Sequence, residues 1–415
     1  MIVLLTNVIK NPFHAPYICD KCKLLYVTIV IILIVTFVIN NCILIDSFSH
    51  LNYKNPLIEG RYVSPIDLKP ITNLWDSFVV KGLSGVSVNG NSIPVYRFGS
   101  GDKTILMWSQ MHGNESTTTK GLVDFIGFLI AASQTSNHML KQCTLIVIPI
   151  LNPDGAVAYT RVNQNQVDLN RDFQDFSQPE SVFLKSVFDR VAPDFCFNLH
   201  DQRTIFSVGS PAKPATMSFL APAADKDCTL TPSRAIAMKL IAVMNETLQQ
   251  MIPDQIGRFD DAFNNQCVGD YFQELGVPTI LFEAGHYPED YQREVSRALV
   301  FHALFSAVNS IAGDSYINYP LDAYFDIPEN QKNFLDIGVI HPHLVNKLIP
   351  QDSVVAIQYK EVLEASEIRF VPEFHSITRD NKLSFHKIVD LSLLDSDLQV
   401  SVLQNIKDIV AAICV

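Results

Sequence analysis

Glycine and glutamate are both missing from the first 58 residues, a stretch rich in isoleucine, asparagine and valine. Residues 24–39 run sixteen positions without a charge, and accepting Asn40 and Asn41 extends the apolar stretch to Ile45. That is about the length that spans a bilayer. Lys10, Lys21 and Lys23 lie on its N-terminal side, so the positive-inside rule places the rest of the chain outside the cytoplasm. No small-residue cleavage site follows. The pattern therefore predicts an uncleaved membrane anchor at about 24–45 rather than a removed signal peptide. The alternative is that residues 1–45 are not translated, since AT-rich DNA upstream of a true start reads as the same composition; the chain is then cytoplasmic.

Positive charge is scarce as well. Lys and Arg number 31 against 43 Asp and Glu, a net charge of -12, which repels phosphate backbones and argues against a nucleic-acid partner. Charge of either sign makes up 18% of the chain and hydrophobic residues 48%, a balance that excludes wholesale disorder and leaves 415 residues with a sizeable core. Cys19-Asp20-Lys21-Cys22 has CxxC spacing but no second pair, so a metal or redox role for it has little support. Cys143 and Cys196 sit inside apolar runs and read as buried free thiols. There is no internal repeat and no low-complexity linker.

What is present, after residue 60, is an alternation of short apolar runs with helical stretches. The runs 104–110, 143–150, 195–199 and 279–282 predict buried strands. A further strand at 95–98 follows Pro94, which suits a strand start or an edge. In 118–132, Leu122, Phe125, Ile126 and Leu129 recur at helical spacing, and 179–191, 233–251 and 291–312 behave alike. The alternation predicts an α/β sandwich on a largely parallel sheet, whose ligands gather at strand ends. The domain expected over 60–320 is followed by a small α+β module over 325–415, with strands at 354–359 and 368–371 and a closing helix at 400–412.

Four motifs follow strands. Ser109-Gln110-Met111-His112-Gly113-Asn114-Glu115 places His and Glu three apart at a strand-to-helix turn, where both can face one ion; Gly113 is expected to let the backbone turn. Asn198-Leu199-His200-Asp201 offers a third ligand, and two His with one Glu form a recurrent catalytic zinc set that keeps a position for water. Leu151-Asn152-Pro153-Asp154-Gly155 reads as a turn, but Arg161 and Asp168-Leu169-Asn170-Arg171-Asp172-Phe173 follow it. A guanidinium suits a substrate carboxylate or a developing oxyanion. In Leu281-Phe282-Glu283-Ala284-Gly285-His286, Glu283 ends an apolar strand, where a carboxylate is costly without a partner or a task. Near an activated water the task is general base. His286 reads as surface or support.

Taken in order, these motifs resemble the M14 zinc carboxypeptidase family over roughly residues 100–312. The resemblance implies a three-layer α/β/α sandwich on a mixed, mostly parallel sheet. It implies one Zn2+ per chain held by His112, Glu115 and His200, with Glu283 as general base and Arg161 polarising the scissile carbonyl. Asn170 and Arg171 are the implied grip on a terminal carboxylate. The implied activity is hydrolysis of the C-terminal bond of peptides with a free carboxylate. Digestive members of the family carry a tyrosine some twenty residues before the catalytic Glu; residues 257–263 here have Phe but no Tyr. His-Gly-Asn-Glu and Asp-Leu-Asn-Arg also resemble the aspartoacylase and succinylglutamate desuccinylase branch, which makes a zinc amidoacylase of N-acyl amino acids the alternative. A third reading is an inactive, membrane-tethered peptide-binding module.

Overall fold

The computed structural model describes residues 49–379, 382–393 and 400–413. The chain divides into two compact units, Met1–Asn52 and Tyr53–Val415. The described part of the first is residues 49–52, with a single 3-10 turn at His50–Asn52. The anchor expected at 24–45, with Cys19, Cys22, Cys42 and Cys414, lies outside the described residues. The second unit contains everything that follows.

Its strands run in chain order β1 (Val79–Val86), β2 (Ser92–Gly99), β3 (Lys103–Ser109), β4 (Cys143–Ile148) and β5 (Phe195–Asp201). Next come β6 (Phe206–Val208), β7 (Lys213–Pro214), β8 (Met217–Leu220), β9 (Ile256–Arg258) and β10 (Thr279–Ala284). The last are β11 (Gln331–Lys332), β12 (Phe334–Ile340), β13 (Val354–Glu364), β14 (Glu367–Thr378) and β15 (Ser384–Asp390). The main sheet has the order β1-β2-β4-β3-β5-β10-β8-β9. Its centre, β4-β3-β5-β10, is parallel, and antiparallel pairs flank it on both sides. The sheet is thus mixed and parallel where it matters for the site. Every residue of β4 and of β5 is buried, which is why these strands read as unbroken apolar runs rather than alternating ones.

Helices cover both faces. Pro179–Val191 packs Phe183, Leu184, Val187 and Phe188 into the core formed by Leu106, Trp108, Ile146 and Ile148. Thr117–Ile130 and Pro232–Gln249 each pack on Glu294–Ala312, and all three contact the β5-β10 region, completing three layers. Glu294–Ala312 is long and apolar enough to cross a membrane by length and composition, yet 72% of its apolar window is buried in the protein. It is a core helix here. Cys143 and Cys196 are buried and free.

Pro94, expected at a strand start or an edge, lies two residues inside the start of β2, a strand that is paired on both sides and so is not an edge. β4 meets β2 only from Tyr96 onward, and β1 is irregular between Val79 and Ser84. Pro94, opposite Ser84, is thus the last residue of the regular β1–β2 register, where a missing N–H disrupts least. The C-terminal strands form a separate sheet, β14-β13-β12-β15. Ile406 and Val410 of the helix Val400–Ala412 close its core against Ile337, Val339, Val355 and Ile357.

Candidate active site

The site begins where β3 ends. Gln110 leaves the strand with φ 44°, a left-handed conformation that costs a non-glycine residue about 1 kcal/mol or more unless its surroundings impose it. Three hydrogen bonds impose it. Gln110 Nε2 donates to Val63 O at 2.9 Å and to Gly113 O at 2.8 Å, and Thr119 Oγ1 donates to its Oε1 at 2.9 Å. Gly113 plays a different part from the one expected. Its φ lies outside the left-handed region, and a Cβ there would stand 1.9 Å from the Gly155 carbonyl carbon. Glycine is required so that the 110–115 loop can lie against the 152–156 turn. That turn caps the helix Pro153–Ala158 through Asn152 Oδ1, which accepts from Gly155 N at 2.8 Å, while Asn152 Nδ2 donates to Met111 O at 3.2 Å. The Asn-Pro-Asp-Gly segment thus braces the His112 loop.

His112, Glu115 and His200 are all buried, and their ligand atoms lie within 4.8 Å of one another. His112 Nδ1 is 2.8 Å from Glu115 Oε1 and 3.1 Å from His200 Nδ1, which is 2.7 Å from Glu115 Oε2. Arg161 Nη1 also reaches His112 Nδ1, at 3.2 Å. Arginine only donates and an ionised carboxylate only accepts, so His112 Nδ1 stands between a donor and an acceptor. Two imidazoles and one carboxylate within reach of one ion form a donor set that zinc accepts.

The charge states of Glu115 and His200 agree with this. Burial alone would raise the Glu115 carboxyl, but His112 and His200 outweigh it and hold the group well below its ordinary range. Burial lowers His200. For His112 the burial effect is outweighed by Glu115 and Asp168, and the net direction is upward. His112 Nε2 stands 3.0 Å from Asp168 Oδ1, the carboxylate partner that orients a ligating imidazole. Asp168 Oδ2 accepts from Arg161 Nε at 2.9 Å, and its own pKa falls because His112 and Arg161 outweigh burial.

The strands set the remaining geometry. In the parallel register of β10 with β5, Glu283 lies directly opposite His200. Its Oε2 is buried with no hydrogen-bond partner. Burial first, then the Glu115 and Asp201 carboxylates, push its pKa well above the ordinary value. Asp201, one residue beyond His200, accepts from Thr117 N at 2.8 Å and Thr118 N at 3.0 Å. It thereby ties the His200 strand to the N-terminus of the helix that follows Glu115.

Asn170 and Arg171 are placed differently. They occupy the 3-10 turn Leu169–Arg171 beside Asp168, but Asn170 Oδ1 accepts from Val268 N at 3.0 Å. The exposed Arg171 donates from Nη1 to Asn170 O at 2.6 Å and to Cys267 Sγ at 3.1 Å. A cavity of about 500 Å³ opens beside Glu115 and Arg161; neither Asn170 nor Arg171 lines it. Its far wall is the C-terminal sheet, with Gln358, Tyr359, Lys360 and Glu361 from β13 and Glu373, Phe374 and His375 from β14. The tyrosine in this wall is Tyr359, not a residue of 257–263. His286 is not at the surface: it is 2% exposed, both ring nitrogens lack partners, and its ring packs on Tyr291 and His386.

Sequence reasoning missed Gln110, Asp201 and the whole cavity wall. Asp201 alone carried a signal, standing next to a ligand histidine at a strand end.

The chain matches the model of the zinc carboxypeptidase family, M14, over residues 72–187. His200 and Glu283 lie beyond that stretch. A probable carboxypeptidase 2 of Arthroderma benhamiae is 27% identical over 97 residues, 23% of this chain and 18% of that protein. Carboxypeptidase 2 of Trichophyton tonsurans gives the same identity and coverage. The chain therefore spans about a fifth of the length of the curated relatives it matches. Bovine thrombin-activatable fibrinolysis inhibitor, solved in complex with tick carboxypeptidase inhibitor, superposes with a TM-score of 0.51 at 14% identity, over 64% of this chain and 99% of that one. At that identity the likeness is one of fold.

Proposed function

We propose that this chain, which matches the M14 zinc carboxypeptidase model over residues 72–187, is a zinc-dependent metallocarboxypeptidase releasing the C-terminal residue of peptides. The observation that carries the reading is the pairing of two features. Two imidazoles and a carboxylate converge within reach of one ion, and the Glu283 carboxyl, its Oε2 without a hydrogen-bond partner, stands opposite His200 in the next strand.

His112, Glu115 and His200 would hold one zinc ion per chain. When bound there, the metal supplies Lewis acidity, polarising the scissile carbonyl and acidifying the attacking water. Glu283 takes the proton of that water and returns it to the leaving amine. Burial and the neighbouring carboxylates raise its pKa, which strengthens it as a proton acceptor. Arg161, aimed by Asp168, presents Nη1 to the oxygen on which negative charge develops. Asn170 and Arg171 receive the terminal carboxylate of the leaving residue. Arg171 is exposed and held by a carbonyl and a thiol, partners a carboxylate displaces readily.

Glu283→Gln should retain one zinc per chain by metal analysis and lose at least about 10³-fold in release of C-terminal residues, the scale of a lost general base. A variant with wild-type rates would remove Glu283 from the mechanism. The second reading, a zinc amidoacylase of N-acyl amino acids, is favoured by one observation. The cavity beside Glu115 is closed on its far side by the C-terminal sheet and has the volume of a small-molecule site. Hydrolysis of N-acyl-aspartate or N-succinyl-glutamate, assayed beside peptides, separates the two.

A further inference from the structure

The cavity beside Glu115 and Arg161 holds a positive charge that the catalytic residues leave unused. Most charged groups in its wall are matched. Arg61 Nη1 pairs with Glu361 Oε1 at 3.0 Å, and Lys360 with Glu373 at 3.5 Å. Arg293 is spent on the carbonyls of Ala284 and Gln202, at 2.7 and 2.6 Å. The Asp201 carboxylate caps the helix Thr117–Ile130. Arg203 is the exception. Its exposed side chain lines the cavity and makes no ion pair or hydrogen bond among the described residues.

Its backbone, by contrast, is fixed on both sides. Gln202 N donates to Ala284 O at 2.9 Å, and Gln202 O accepts from Arg293. Thr204 Oγ1 accepts from Gln358 Nε2 at 2.6 Å, and Thr204 O is 3.1 Å from His386 Nε2. Arg203 thus lines, from a clamped loop three residues beyond His200, a walled space of about 500 Å³. A fixed origin, a free fork of donors and a restricted volume together describe a carboxylate receptor.

We propose that this cavity is the subsite for the acyl half of the substrate, and that Arg203 selects an acidic group there. The proposal rests on the hydrolase reading, in which Asn170 and Arg171, outside the cavity, take the leaving half. The wall formed by β13 and β14 bounds the acyl half in length, so the substrate class is short and acidic on the acyl side of the cleaved amide: a terminal dipeptide unit with Asp or Glu before the last residue, or an amino acid acylated by a dicarboxylic acid.

The test is calorimetric binding of two probes, acetyl-Glu-Leu and acetyl-Gln-Leu, to the zinc-loaded full chain carrying Glu283→Gln. The probes differ only in the acyl-side carboxylate, and no turnover is needed. The acidic probe should bind about tenfold or more tighter, the range of a charge-assisted hydrogen bond. Adding Arg203→Ala should erase the difference while leaving acetyl-Gln-Leu within about twofold, and Arg203→Lys should restore part of it. Equal binding of the two probes, or a preference that survives Arg203→Ala, overturns the proposal. A preference that depends on Arg203 in a chain whose wild type cleaves no substrate supports the receptor and removes the hydrolase reading instead.

Discussion

Asp168 faces His112 Nε2 through one oxygen and accepts from Arg161 through the other, so a single carboxylate sets a ligand ring and aims the guanidinium. Asp168→Asn keeps the size but presents an amide N–H2 to one of two donors. Zinc affinity should fall about 10- to 100-fold, as when the partner of a ligating histidine is lost. Competition with a chelator measures it, and an affinity equal to wild type would show that Asp168 does not orient His112. At this scale the sequence was informative about residues whose chemistry is rare at a strand end: His112, Glu115, His200, Glu283. It was silent about Gln110, whose role lies in three hydrogen bonds to distant partners. For Gly113 it suggested the wrong property of glycine, since the position requires space against Gly155 rather than a positive φ.

The elements divide along the same line. The parallel centre was legible because buried strands are apolar throughout, and Pro179–Val191 begins at the proline that announces it. The C-terminal hairpin was legible only in part. The apolar runs 354–359 and 368–371 are the opening parts of β13 and β14; β13 runs on to Glu364, and β14 starts at Glu367 and runs on to Thr378. The two residues between them, Ala365 and Ser366, have φ 48° and 67°, the signature of a type I′ turn. Neither residue favours that region, so the sequence carried no turn signal there. Replacing Ala365-Ser366 by Asn-Gly should relieve the strain and stabilise the fold by about 1 kcal/mol. The midpoint of urea unfolding should rise; a midpoint unchanged or lowered would mean that the turn is not strained. Because β13 and β14 form the cavity wall, a stiffer turn tests that wall without touching the catalytic residues.

The whole molecule joins the two sheets through side chains that titrate. Tyr291 Oη donates to Asp336 Oδ1 at 2.8 Å, and His286 packs on His386 with centroids 4.3 Å apart. Burial first, then His386, Arg293 and Arg61, hold His286 down to about 2. In the unfolded chain it titrates near 6.5. Below that pH the unfolded chain binds a proton that the folded chain refuses. The stability His286 contributes is therefore present above about 6.5 and is lost as pH falls toward 2. Asp270, which burial raises to about 7, works in the other direction: its folded form keeps a proton that the unfolded form gives up, so stability falls as pH rises from about 4 to 7. Opposed slopes of this kind hide each other in a single stability curve. A difference between two chains separates them. His286→Phe keeps an aromatic ring against Tyr291 and His386 and sacrifices no hydrogen bond, since neither ring nitrogen has a partner. Between pH 7 and pH 5 the unfolding free energy of this variant should shift in its favour, relative to wild type, by about 2 kcal/mol, the value of one proton taken up by the unfolded state over about 1.5 pH units. Urea unfolding of both chains at the two pH values reads it directly. Parallel curves would mean that His286 finds a proton or a partner in the folded chain, and that the junction of the two sheets does not sense acid through it.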